Sequence, residues 1–111
     1  MSENLAAMKC VACEGGIPPL SHERVSKYLA QLKSGWAAER NVKIRKEFTF
    51  PDFKSALAFA NRIGEIAEQE GHHPDLMVGW GKLAVELTTH AIKGLSENDF
   101  ILAAKIDRIE E

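Results

Sequence analysis

Apolar residues along this chain recur with two different periods, and the switches between them mark out its elements. In LSHERVSKYLAQLKSG, Val25, Leu29 and Leu32 follow a helical period. Ser21 stands as the N-cap there, Leu20 and Val25 occupy the hydrophobic-staple positions, and Gly35 is the stop. NVKIRKEFTF then alternates. Val42, Ile44, Phe48 and Phe50 share one side, and Lys43, Arg45, Glu47 and Thr49 the other. This predicts a half-buried strand, with Lys46 breaking the apolar set. GWAAER just before it predicts a short partner strand, with a turn near Arg40-Asn41. PDFKSALAFANRIGEIAEQEG gives the strongest helical pattern. Pro51 suits its first turn, Phe53, Leu57, Ala60, Ile63 and Ala67 form its stripe, and Gly71 fits the C′ position. SENDFILAAKIDRIEE predicts a last helix, opened by a capping box of Ser96 and Asp99.

Between the last two helices lies HHPDLMVGWGKLAVELTTH, in which Leu83, Val85 and Leu87 alternate with polar or small residues, so residues 82–89 read as a strand. One straight strand from His72 to His90 would hold the two histidines about 60 Å apart. The two glycines of GWGK permit the positive φ of a tight hairpin. A reversal centred on Gly81 lays His90 opposite His72, within the residue or two that a bulge can shift. The predicted order is helix, two strands, helix, hairpin, helix. CEGGIPPL is a Gly- and Pro-rich loop, so residues 1–19 are expected to be an arm and residues 20–111 one domain.

Composition adds limits. The chain has 111 residues, 45% hydrophobic and 27% charged, with a net charge of −2. That is enough chain to bury a core. The charge gives no reason to expect nucleic acid or an anionic membrane as partner. No apolar run reaches the length of a membrane span, and MSENLAAMKC lacks the pattern of a secretory signal, so a cytoplasmic protein is expected. Cys10 and Cys13 form one CxxC pair with no second pair after it. A zinc site would need further ligands, and no strand precedes the pair as in redox motifs. Two reduced thiols in a loose segment are expected.

The candidate chemistry is histidine chemistry. Glu68 and His72 are four residues apart, at the end of a helix and just past it. The negative helix terminus and Glu68 both favour protonated His72, a candidate general acid. Pro74 biases His73 to an extended backbone, so His72 and His73 point to opposite sides and have different jobs. Read residue by residue, other accounts stand beside this one. HHP also fits an exposed loop without chemistry, His90 a strand-end histidine bonded to backbone, and Asp99 a helix cap. Trp80 at the hairpin tip fits packing or an interface. A metal held by His72, His73, His90 and a carboxylate is a sharper rival, but the spacing matches no familiar zinc signature.

The ordered set Glu68, His72-His73-Pro74, Trp80, His90 and Asp99, with every gap fitting, resembles the pterin-4a-carbinolamine dehydratase family. GW at 35–36, FTFPDFKSALAFANRI and THAIKGLSENDF extend the resemblance over roughly residues 20–108. Leu76 departs from it, since many relatives carry an aromatic there. The resemblance implies an α+β fold: a four-stranded antiparallel sheet with three helices packed on one face, in the order α-β-β-α-β-β-α. It implies dehydration of 4a-hydroxytetrahydrobiopterin to quinonoid dihydropterin, in support of aromatic amino acid hydroxylation, with no metal and no organic cofactor. By that resemblance His72 and His90 are acid/base groups, His73 positions or polarises the pterin, and Glu68 orients or tunes a histidine. Gly71, His72, His73, Pro74, Thr88, Thr89 and His90 line the substrate, with Trp80 and Asp99 in support. The other roles it leaves open are a protein-interaction or transcription dimerisation cofactor and a relative acting in molybdopterin metabolism. A homodimer or homotetramer is expected by family.

Overall fold

The computed structural model describes residues 5–10 and 17–110; Cys13, and with it the CxxC pairing, lies outside them. Helix α1 spans His22–Leu29, strand β1 Ala37–Glu39, β2 Lys43–Thr49, helix α2 Phe53–Glu70, β3 Asp75–Gly79, β4 Lys82–Leu87 and helix α3 Glu97–Glu110. The strands form one antiparallel sheet in the order β1-β2-β4-β3. The fold is the expected α+β arrangement, α-β-β-α-β-β-α. Ile44 and Phe48 of β2 and Leu83, Val85 and Leu87 of β4 are buried under the helices. On the other face Lys43, Arg45, Glu47 and Glu86 make a ladder of ion pairs.

Lys46, which breaks the apolar set of β2, keeps its place in the alternation and points into the core. Its ammonium meets Asp107 of α3 at 3.0 Å. The β1–β2 turn falls at Arg40 and Asn41 as expected, both with positive φ. Val42 belongs to that connection, not to the strand, and is 43% exposed. Three helix details differ from the sequence pattern. Helix α1 closes at Ala30, before Gly35, whose φ of 111° serves the turn into β1. Helix α2 begins after Pro51: Asp52 is the N-cap, its carboxylate accepting the Ser55 N–H and held below the usual carboxylate range by it. The buried stripe of α2 is Ala56, Phe59, Ala60, Ile63 and Ala67, while Phe53 and Leu57 stay largely exposed. Phe59 is drawn in because Phe48 and Phe50 pack against it as tilted rings, with centroids 5.0 and 5.3 Å away.

The hairpin pairs Gly79 with Lys82 and Asp75 with Glu86. Its turn is therefore Trp80-Gly81, with Gly81 at φ 75°. The reversal lies between residues 80 and 81, half a residue before the expected centre. Extending the register places Thr89, not His90, opposite His72. Leu87 ends β4; Thr89 bridges Gly94, and His90–Ile92 form a 3-10 turn between them. Leu5–Ala7, within the segment read as an arm, form a 3-10 turn, and Leu5 is 3% exposed in the core.

Candidate functional site

The site begins at the end of α2. Gly71 adopts φ 67°, ψ 24°, a left-handed conformation that glycine takes without a Cβ penalty. Its N–H and that of His72 both reach the Ala67 carbonyl, at 2.9 and 3.3 Å. This closes the helix and turns His72 toward the first turn of α3. There His72 Nε2 lies 2.6 Å from Asp99 Oδ1.

Asp99 is fully buried. Its Oδ2 accepts the Ser96 N–H at 3.0 Å and the Thr89 hydroxyl at 2.8 Å. A carboxylate only accepts, so Thr89 gives its one proton to Asp99. Ser96 Oγ then donates to Thr89 Oγ1 across 2.7 Å. By the same logic His72 Nε2–H donates to Asp99, leaving Nδ1, which has no protein partner among the described residues. The capping box is thus half formed. Asp99 returns to the Ser96 N–H, while the Ser96 side chain is drawn to Thr89. Asp99 is both helix cap and histidine partner.

His73 goes the other way, as the extended backbone before Pro74 requires. Its Nε2 meets Glu68 Oε2 at 2.5 Å, with both side chains well exposed. Glu68, expected to act on His72, therefore serves His73; Asp99 serves His72. The i to i+5 geometry past a left-handed Gly71 brings His73, not His72, back over the last turn of α2.

His72, His73 and His90 line one cleft of about 240 Å³, together with Gly71, Thr88, Thr89, Ala91 and Asn98. His90 is exposed and its ring has no partner among the described residues. Thr88 turns its hydroxyl to the Val42 carbonyl at 2.6 Å, so it fixes the loop on the cleft wall. Pro74 lies in a neighbouring groove with Glu68, His73, Leu76 and Val78. Trp80, 75% exposed at the hairpin tip, is not part of the cleft. Asn98 and Ala91 were not singled out from the sequence. Asn98 adjoins Asp99, but which side of the first turn of α3 meets the cleft follows only from how the helix packs. Among the described residues no group of three or more His, Cys, Asp or Glu side chains is placed to hold a metal ion. No helix among them is long and apolar enough to cross a membrane.

Residues 18–109 match the model of the family described as pterin 4 alpha carbinolamine dehydratase. The chain is 48% identical over 105 residues to a protein of Alkaliphilus metalliredigens, covering 95% of each. It is 52% identical over 103 residues to one of Rickettsia canadensis, covering 93% of this chain and 94% of the other. Both are provisionally named pterin-4-alpha-carbinolamine dehydratases. Among solved structures, a transcriptional coactivator/pterin dehydratase from Brucella melitensis superposes with a TM-score of 0.77 at 29% identity, over 84% of this chain and 99% of that one.

Proposed function

This chain belongs to the pterin 4 alpha carbinolamine dehydratase family, and we propose that it catalyses loss of water from a 4a-hydroxytetrahydropterin to give the quinonoid dihydropterin. In that reaction the N5 lone pair expels the hydroxyl from C4a. A C4a=N5 double bond forms, the N5 proton leaves, and the hydroxyl departs as water with one added proton. His72, with Nε2–H anchored on Asp99, exchanges protons with the ligand through Nδ1 and delivers the proton to the departing oxygen. His90, free of protein partners among the described residues, takes the N5 proton. His73, braced by Glu68, orients the ring. Placed proton donors and acceptors of this kind contribute about 10²–10⁴ in rate each, which suits a carbinolamine that already dehydrates unaided.

The observation that carries this reading is the 2.6 Å His72–Asp99 contact on the wall of a cleft that also holds His73 and His90. The purified protein is expected to accelerate carbinolamine loss, followed by ultraviolet absorbance, equally with and without a chelator. Full activity in both His72→Ala and His90→Ala would end the assignment.

A second reading, a protein-interaction role in a homodimer or homotetramer, draws support from the coactivator part of the Brucella melitensis protein's name. An apolar groove of about 600 Å³ between α2 and the edge strand β3, flanked by exposed Leu57, also favours it. A partner retained by His72→Ala protein would establish that role; a monomer by sedimentation would remove the oligomer.

A further inference from the structure

The residues before α1 meet the site from behind. Cys10 N–H donates to Glu70 Oε1 at 2.8 Å, and Glu70 is the last residue of α2. The Lys105 ammonium of α3 donates to the Ala6 carbonyl at 2.9 Å and lies 3.6 Å from Glu70 Oε2. Glu70 and Lys105 side chains are only 11% and 17% exposed. The Cys10 thiol donates to the Asn98 carbonyl at 3.6 Å, and Asn98 lines the histidine cleft beside Asp99. Leu5 anchors the segment in the core, with Met8 and Cys10 packed against it. Residues 5–10 are thus tied at three points to the two elements whose junction is the His72–Asp99 pair.

We propose that Glu70 is a positioning residue: by holding the Cys10 amide and the Lys105 ammonium together, it clasps residues 5–10 across the junction of α2 and α3 and so fixes the His72–Asp99 contact. Gly71, with open space where a Cβ would lie, has no side chain to fix the exit from α2. The chain between Ala67 and His72 is held from one side by the Ala67 carbonyl and from the other by this clasp. A histidine whose ring must keep one nitrogen on a buried carboxylate tolerates little drift, since displacement of about 1 Å in a catalytic group costs about 10²-fold in rate. Burial and the Glu70 carboxylate push the Cys10 thiol up to about 12, so it stays protonated and serves as a fixed donor.

This inference rests on the reading of the cleft as a dehydratase site, and its test separates the two. In the full chain, Glu70→Ala removes both contacts, whereas Glu70→Gln keeps an acceptor for the Cys10 amide. Two quantities are read: the exchange rate with water of the His72 Nε2 proton by NMR of the ligand-free protein, and kcat and KM for carbinolamine loss. Glu70→Ala is expected to speed that exchange about tenfold and to lower kcat about tenfold with KM unchanged within about twofold, with Glu70→Gln recovering most of both. Wild-type exchange and wild-type kcat in Glu70→Ala overturn the proposal, as does Glu70→Gln behaving no better than Glu70→Ala. Faster proton exchange in Glu70→Ala from a wild-type protein that has no dehydratase activity supports the clasp and rejects the function.

Discussion

Helix α3 carries a buried aspartate at each end, and the two have opposite fates. Asp107, 4% exposed, accepts the Lys46 ammonium and the Trp36 indole N–H on Oδ1, both at 3.0 Å, and the Lys33 N–H on Oδ2 at 3.0 Å. The Lys46 ammonium lies 4.8 Å from the Phe48 ring centroid and 5.8 Å from that of Trp36, so the pair is sealed by aromatic rings. Asp99 is as deeply buried and also has three donors. One of them, however, is an imidazole on a cleft wall whose second nitrogen is left over. Burying a carboxylate has the same solution at both ends of the helix, which is to meet every lone pair that matters with a donor. Chemistry arises only where one donor can itself change its proton count and reach a ligand. The Lys46–Asp107 end lets a charged residue lie on the inward face of β2; the His72–Asp99 end leaves a ring nitrogen on a cleft wall.

Breaking each pair should separate activity from stability. His72→Ala is expected to lose about 10²–10⁴ in kcat per folded molecule, and also some melting temperature, because the buried Asp99 carboxylate keeps only its Thr89 and Ser96 donors, as measured by absorbance assay and calorimetry. A wild-type kcat per folded molecule would make His72 a structural residue. Asp107→Ala should do the reverse, costing about 3–5 kcal/mol in urea unfolding by stranding a buried ammonium, with kcat per folded molecule intact. Lys46→Met combined with Asp107→Leu should recover the part of that stability lost to the stranded ammonium, but not the part lost by the Trp36 indole and Lys33 N–H groups; no recovery at all would show that the stranded ammonium was not the cause. Asp99→Asn should lower kcat by about 10–100-fold, because an amide misorients His72. Activity equal to wild type would place the reaction elsewhere.

The smallest effect lies behind the Asp99 end. Cys10, raised from 9.0 to about 12 when folded, keeps its proton where an unfolded thiol has lost it. The folded state then binds more protons, so this stabilisation is whole below pH 9.0 and declines as pH rises toward about 12. In a Cys13→Ser background, the urea midpoint should fall between pH 8 and pH 10 by more than it does when Cys10 is also replaced by Ala; equal falls would remove Cys10 as the cause.

Local pattern determined a great deal. The period-two stretches at 43–49 and 82–87, the Gly71 stop and the GWGK reversal follow from side-chain alternation and backbone sterics, which act over a few residues. The gap sequence from Glu68 to Asp99 singled out the three histidines that line one cleft, and also Trp80, which lies outside it. Tertiary structure decided the partnerships. Glu68 goes to His73 and Asp99 to His72, because Gly71 turns the chain across the end of α2 onto α3. Lys46 could enter the core only because Asp107, distant in sequence, arrives there with Trp36. The α2 stripe was shifted toward Phe59 because the aromatic rings of β2 and of the residue after it were waiting on that side. Alternation and capping are properties of neighbours along the chain; which donor meets which acceptor depends on how separate elements pack, and no local spacing encodes that.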